Sequence, residues 1–227
     1  MLFLVLGRGK TGRVVADVAA EHGHSVRVVG EEENRNATAL TAPFLAGFDA
    51  VIDFTTPEAA VSNMRACLAN GARMVVGTTG WYQHLDDMRS LAARKNAGFL
   101  YGTNFSLGVQ AVLRLARELA MALPHYHFTI TETHHVQKKD APSGTALSLQ
   151  QALQSANPSL QVEITSKREG DVSGIHVIEA RSNEEVIKIE HEAFSRRAFA
   201  EGAVRAAEWI VGKTGVWNFS EIADQLS

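Results

Sequence analysis

The chain has 227 residues, 45% of them hydrophobic, with a formal net charge of −3 and a pI near 6.3. That is enough apolar material for one large or two modest packed domains. It leaves no basic excess for a nucleic-acid or anionic-membrane surface, so small solutes are the expected partners. A single cysteine, Cys67, excludes an intramolecular disulfide and suits a reducing, cytoplasmic location; its apolar helical surroundings read as packing. The opening apolar run ends at Gly7, too soon for a signal peptide core or a membrane span, and no later stretch reaches membrane length.

In chain order, the amino-terminal part alternates short apolar runs with amphipathic ones, the pattern of parallel strands joined by crossover helices. Leu2 to Leu6 predicts a buried strand, Gly12 to His22 a helix stopped by Gly23, and Ser25 to Val29 a second strand. Val51 to Phe54 predicts a third. Thr56 then caps a helix with Pro57 at its first position, ending near Asn70 and Gly71. Arg73 to Val76, a helix to about Lys95 and the strand Phe99 to Tyr101 complete this rhythm. A long apolar helix, Leu107 to Leu123, leads into alternating strands near 126–133, 162–167, 174–180 and 185–191, with a helix over 144–154 among them. In EEVIKIEH, Ile187, Ile189 and His191 share one face, as in a sheet covered on one side. Two helices, Arg197 to Val211 and Phe219 to Leu226, close the chain, and periodicity does not say which domain they join.

Two stretches carry chemistry. Gly7-Arg8-Gly9-Lys10-Thr11-Gly12 reads G-x-G-x-x-G between the first strand and first helix, where bare backbone turns tightly and brings a pyrophosphate against free helix-terminal N–H groups. The acidic run Glu31-Glu32-Glu33 follows about 20 residues later, where a carboxylate accepts from ribose hydroxyls, and Glu31 and Glu32 have equal claim to that role. The loops Gly77-Thr78-Thr79-Gly80 and Gly102-Thr103-Asn104-Phe105 follow strands and open at the same carboxyl edge, where a nicotinamide would lie.

The second stretch, ETHHVQKKDAPSGTA (132–146), sets His134, His135 and Lys138 just before Pro142-Ser143 and a helix start. The N–H groups of Gly144 and Thr145 at that start suit a carboxylate or phosphate, Lys138 adds a cation, and a histidine exchanges protons near neutral pH. No metal site is expected at the histidine pair, which lacks H-E-x-x-H spacing and a cysteine cluster.

This stretch resembles the E-x-H-H-x-x-K-x-D-A-P-S-G-T-A signature of the dihydrodipicolinate (4-hydroxy-tetrahydrodipicolinate) reductases of lysine biosynthesis. The resemblance extends over DFTTPE (53–58), GTTGW (77–81), NFSLGV (104–109), REGDVSGIH (168–176) and SRRAFAEGAVRAAEWI (195–210). It implies an α/β fold: a Rossmann-like parallel-sheet dinucleotide-binding domain over 1–105 and 196–227, and an α+β substrate and oligomerisation domain with a mixed sheet over 106–195. It implies reduction of 4-hydroxy-tetrahydrodipicolinate with NADH or NADPH in the diaminopimelate pathway to lysine, and a homotetramer. His134 and Lys138 would be catalytic; His135, Gly144 and Thr145 would bind the dicarboxylate. The cofactor would be held by Gly7, Arg8, Gly9, Lys10, Thr11 and Gly12, by Glu31, by Gly77, Thr78 and Thr79, and by Gly102, Thr103, Asn104 and Phe105. Closure of the second domain over the cofactor is expected when ligands bind.

The match departs from the family pattern in two places. The glycine turn is one residue shorter than G-x-x-G-x-M-G, with Thr11 in the methionine's place. Only about 21 residues join Val29 to Val51, too few for a further strand and crossover helix, so one unit of the usual sheet is expected to be missing. Glu31 would repel a ribose 2′-phosphate and Arg35 could bind one, which tilts the balance toward NADH with dual use. Two other readings use the same residues: a reductase of homoserine-dehydrogenase type, and an NAD(P)-sensing module without turnover.

Overall fold

The computed structural model describes residues 1–226. They divide into two units, residues 1–106 with 197–226, and Leu107–Arg196. The strands in chain order are β1 (Leu2–Leu6), β2 (Ser25–Val29), β3 (Ala50–Asp53), β4 (Arg73–Val76), β5 (Gly98–Tyr101), β6 (His127–His134), β7 (Val162–Arg168), β8 (Ile175–Arg181), β9 (Val186–Glu192) and β10 (Gly215–Asn218). The helices are α1 (Lys10–Glu21), α2 (Ala42–Leu45), α3 (Pro57–Ala69), α4 (Leu85–Lys95), α5 (Leu107–Ala122), α6 (Gly144–Ala156), α7 (Arg197–Ile210) and α8 (Phe219–Ile222).

The first unit is a six-stranded sheet in the order β10-β5-β4-β3-β1-β2, with every pairing parallel. Because all strands run one way, the loops after β1, β3, β4 and β5 gather at one edge. The chain steps outward from β1 to β2 and then crosses back to β3, so the switch point of the sheet lies between β1 and β3. Both faces are covered, and β1, β3 and β5 are accordingly apolar but for Asp53 at the end of β3, with Leu4, Val51 and Phe99 among the fully or nearly fully buried residues. Local signals set the helix ends. Thr56 Oγ1 accepts from the Ala59 amide at 3.3 Å to start α3. Asn96, in the left-handed region at φ 49°, stops α4.

Sequence and structure differ here in two instructive places. α1 begins at Lys10 rather than Gly12, so Lys10 and Thr11 lie in its first turn, with Gly9 in extended conformation as the cap. β10 has no counterpart in the sequence reading: its four residues are all half-buried and too few to show a period, and β5 alone defines it by pairing Trp217 with Leu100. The edge of α7 supports it, where Trp209 and Trp217 meet perpendicularly at 5.0 Å between centroids. Between β2 and β3 stand only a 3₁₀ turn, Arg35–Ala37, and the single-turn α2. The short segment thus crosses back without the extra strand, as expected from its length.

The second unit is a four-stranded mixed sheet in the order β7-β6-β8-β9, with β6 parallel to β7 and the other pairs antiparallel. Strand alternation gives β6 one covered face: Phe128, Ile130, Glu132 and His134 are buried and the residues between them are not. Phe128 and Ile130 lie in one apolar cluster with Val112 and Ala116 of α5 and with Leu149 and Leu153 of α6. Further along the same face the residues turn from apolar to titratable.

Candidate active site

The transition is set by register. Ser166, Glu132, His176 and His191 are direct neighbours across β7, β6, β8 and β9, one row beyond the pair Ile130 and Ile178. Glu132 is 0% exposed, yet both of its oxygens are engaged. Oε1 accepts from both terminal nitrogens of Arg168 at 3.1 Å, and Oε2 stands against Nδ1 of His134, two residues along the strand. Burial pushes the Glu132 carboxyl up. The hydrogen bonds from Ser166 and Arg168 and the charges of His134 and Arg168 outweigh it, so the group is held below the ordinary carboxylate range.

His134 moves the other way. Burial lowers it, Lys138 and Arg168 add to that, and Glu132 opposes without winning, so the ring is held below its ordinary value and is neutral at pH 7. A carboxylate at Nδ1 keeps the proton on that nitrogen and leaves the Nε2 lone pair facing outward. Space beside Nε2 exists because position 174 is glycine: a Cβ there would come within 3.0 Å of it. His176 packs its ring edge-on to His134 at 5.1 Å and places Nε2 3.2 Å from Ser143 Oγ. Burial, then the charge of His134, brings its pKa down to about 4.

Ser143 links this row to the α6 terminus. Its Oγ accepts from the Ala146 amide at 3.2 Å, the cap of the helix whose first residues are Gly144 and Thr145. Gly144 is exposed, and a Cβ on it would meet nothing within 4 Å, so a ligand can approach the backbone there. Lys138 Nζ contacts both carboxylate oxygens of Asp140 at 2.8 Å. The loop that carries them is held by Arg168, which donates to the Lys138 and Asp140 carbonyls as well as to Glu132. His135 is half-buried and lies just past the end of β6. Of the residues expected to act on the substrate, His134, Lys138, Gly144 and Thr145 therefore converge on one end of this unit. Arg168, His176 and Ser143 join them without having been assigned a role from sequence, and Glu132 gains its partners from β6 and β7.

In the first unit, a cleft of about 520 Å³ opens at the β1/β3 switch point, lined by Gly7, Arg8, Gly9, Glu31, Arg35 and Thr55 among others. Its floor is bare backbone by necessity. Gly7 has φ +108°, and a Cβ there would lie 2.2 Å from the Phe54 carbonyl oxygen; a Cβ on Gly12 would lie 2.1 Å from that of Gly7. Gly9 differs, since a Cβ would meet nothing within 4 Å, so the space before the α1 N-terminus is open. A dinucleotide's phosphates fit this donor set and this space. Glu31 lines the cleft, whereas Glu32 does not. Glu33, the third acid, accepts from the Gly30 amide at 3.0 Å and pairs with Arg8 at 2.6 Å, fixing the rim.

The remaining expected cofactor residues sit along the same carboxyl edge outside this cleft. Gly77 lies against the Phe54 ring, where a Cβ would come to 2.2 Å, and Phe105 meets that ring edge-on at 6.2 Å. Thr78 faces inward: its hydroxyl donates to buried Asp53 at 2.7 Å and accepts from the Thr55 amide at 2.7 Å. Asp53 also takes the Asn63 amide at 2.7 Å, and Asn63 takes that of Asn34 at 2.8 Å, a polar chain that fixes the loops after β2, β3 and β4. Thr79 and Thr103 are exposed, while Asn104 accepts from the Ser106 amide at 2.8 Å. Sequence reading found the loops; it did not find the Asp53–Asn63–Asn34 chain that holds them, because its members come from three separate segments.

Comparisons with known proteins agree across the whole chain. The family model described as dihydrodipicolinate reductase, N-terminus, matches residues 1–105, and its counterpart for the C-terminus matches 108–223. A 4-hydroxy-tetrahydrodipicolinate reductase of Christiangramia forsetii is 33% identical, covering 100% of this chain and 99% of the relative. One of Natronomonas pharaonis is 36% identical, covering 92% and 94%. Among solved structures, the dipicolinate-bound dihydrodipicolinate reductase of Paenisporosarcina sp. TG-14 shares the fold with a TM-score of 0.81, at 23% identity and coverage of 98% and 99%. An amine dehydrogenase of Mycobacterium smegmatis shares it at 0.66 and 9% identity, with coverage of 97% and 95%. With both halves matched in order and relatives aligned end to end, the chain belongs to the dihydrodipicolinate reductase family.

Proposed function

We propose that this chain reduces 4-hydroxy-tetrahydrodipicolinate to tetrahydrodipicolinate with NADH or NADPH. The observation that carries the reading is the joining of Glu132, His134, Arg168 and the Lys138 loop on one sheet end beside the open α6 terminus, in a chain matched by both family models. The curated relatives are named for this reaction. They support it over a homoserine-dehydrogenase-type reductase or a sensing module, neither of which calls for this proton-handling set.

Bound NAD(P)H supplies the hydride. The chain's own residues do the rest. Backbone N–H groups of Gly144 and Thr145 and the Lys138 ammonium hold the carboxylates of a small dicarboxylate, with His135 as a further contact, and Asp140 releases Lys138 to that partner. His134, its Nδ1 proton held by Glu132, takes up a proton from water at Nε2 and passes it to the carbon next to the reduced position, returning to the neutral ring, with Lys138 as the neighbouring acid. Gly7, Arg8, Gly9, Lys10, Thr11 and Gly12 cradle the pyrophosphate. Glu31 takes the ribose, and the loops of Gly77–Thr79 and Gly102–Phe105 flank the nicotinamide.

The finer cofactor choice follows from charge. The cleft is lined by Arg8 and Arg35 against Glu31 and Glu58, with Arg8 already paired to Glu33. That balance accepts both cofactors and favours NADH. We also place the enzyme in the cytoplasm as a homotetramer. The face of the four-stranded sheet that carries Thr129, Thr131 and Val177 has no helix of its own unit among the described residues, and it suits a second copy. No helix among them is long and apolar enough to cross a membrane.

The test is direct. Purified protein given freshly generated 4-hydroxy-tetrahydrodipicolinate should oxidise NADH and, less efficiently, NADPH; absence of oxidation with either would refute the assignment.

A further inference from the structure

Away from the cleft and the histidine row, the first unit holds a second cluster of ligating side chains. His22 closes α1, His24 stands just before β2, and Glu201 and Glu208 lie two turns apart on one face of α7. Glu208 Oε1 is 3.0 Å from His22 Nδ1 and 2.7 Å from His24 Nε2. The three groups' ligand atoms all lie within 4.8 Å of one another.

We propose that His22, His24 and Glu208 form a binding site for a zinc ion, with Glu201 orienting His22. Two imidazoles and one carboxylate, with water in the fourth position, are a zinc donor set, and bonds of about 2.0–2.1 Å in a tetrahedron put ligand atoms about 3.3 Å apart. The two carboxylate–imidazole separations need only a small expansion, and the two ring nitrogens already lie within 4.8 Å of each other.

The second observation is the support behind the ligands. His22 Nε2 lies 3.0 Å from Glu201 Oε2, the carboxylate-on-imidazole arrangement that fixes the tautomer and aims the other nitrogen at a metal. Glu201 is itself held by Arg197 at 3.0 Å, and Arg197 also pairs with Glu21. The His24 ring is set by an edge contact with Phe3 at 4.7 Å. The turn between the histidines depends on Gly23, at φ +81°, which lets both rings face α7.

Charge and access point the same way. Glu201, Glu208 and Glu21, three carboxylates, face Arg197 and the Met1 ammonium, which lies 3.5 Å from His24 Nδ1, so negative charge remains in excess when the imidazoles are neutral and a dication offsets it. The His22, His24 and Glu208 side chains are 26%, 12% and 30% exposed, enough for an ion and its water to enter. Glu132, His134 and His176 also bring ligand atoms together, but there Arg168 occupies the carboxylate and Lys138 stands near, two permanent cations that repel a dication. The proposed ion lies at the amino edge of the parallel sheet, opposite the cleft. Its role is therefore to tie α1 and β2 to α7.

The test titrates metal-stripped protein with Zn²⁺ against a chromophoric chelator and follows thermal unfolding with and without Zn²⁺. One equivalent should bind to the wild type and raise its melting temperature. Glu208→Gln and His24→Asn should abolish both effects. Glu201→Gln, which removes no ligand atom, should weaken binding roughly 10- to 100-fold, and His134→Gln should leave it unchanged. Absence of stoichiometric binding, or binding that survives Glu208→Gln and is lost in His134→Gln, would overturn the site. Should the variants fail to fold, Co²⁺ bound to the wild type decides: an intense tetrahedral visible band supports the site, and a weak octahedral spectrum refutes it.

Discussion

Glu132 and Arg168 form an ion pair in which one carboxylate oxygen accepts from both terminal guanidinium nitrogens at 3.1 Å, and the carboxylate is wholly buried. Removing the arginine strands a charge in the sheet and frees the Lys138–Asp140 loop. Arg168→Ala should cost about 3–5 kcal/mol in urea unfolding, whereas Glu132→Gln/Arg168→Met should cost distinctly less. Because Arg168 helps hold His134 down while Glu132 pulls it up, the His134 pKa should rise in Arg168→Ala, as read by NMR titration. An unchanged or lower value would contradict the assigned electrostatics.

The His176 ring has a folded pKa of about 4 against an ordinary 6.5, set by burial and by facing His134, Glu132, His191 and the Lys138 loop. The unfolded chain binds this proton more readily, so the group's stabilisation is complete above pH 6.5 and is lost as pH falls from 6.5 toward 4. The contribution is about 3 kcal/mol. His176→Gln should flatten the pH dependence of unfolding across that window. A variant curve parallel to the wild type would remove His176 as its source.

The three glycines of the turn should behave differently. Gly7→Ala and Gly12→Ala place a methyl within about 2 Å of a backbone carbonyl oxygen and should destabilise the fold. Gly9→Ala meets nothing within 4 Å and should fold normally, yet its methyl stands where the pyrophosphate must approach α1. Cofactor affinity measured by fluorescence should fall at least about tenfold in this variant, some 1.4 kcal/mol. Equal binding by Gly9→Ala and wild type would move the phosphates elsewhere.

Much of this was legible in the sequence where a local rule sufficed. Leu2–Leu6 reads as a strand because five apolar residues in a row can be nothing exposed, and Thr56-Pro57 announces a helix by chemistry within four residues. β10 escaped because Gly215–Asn218 is a strand only by virtue of β5. The site divides along the same line. His134 and Lys138 lie within one motif, but Arg168 and His176 reach them through strand register, and register depends on pairings that no single segment specifies. His22 and Glu208, 186 residues apart, are beyond any local pattern.

The most direct measurement compares steady-state reduction of 4-hydroxy-tetrahydrodipicolinate and NADH binding in wild type, His134→Gln and Lys138→Ala. In the proposed mechanism these side chains handle the proton, and neither lines the cleft proposed for the cofactor. Both variants should therefore lose roughly a hundredfold or more in kcat while binding NADH as the wild type does. Turnover that survives both substitutions, or cofactor affinity that falls with it, would contradict the account.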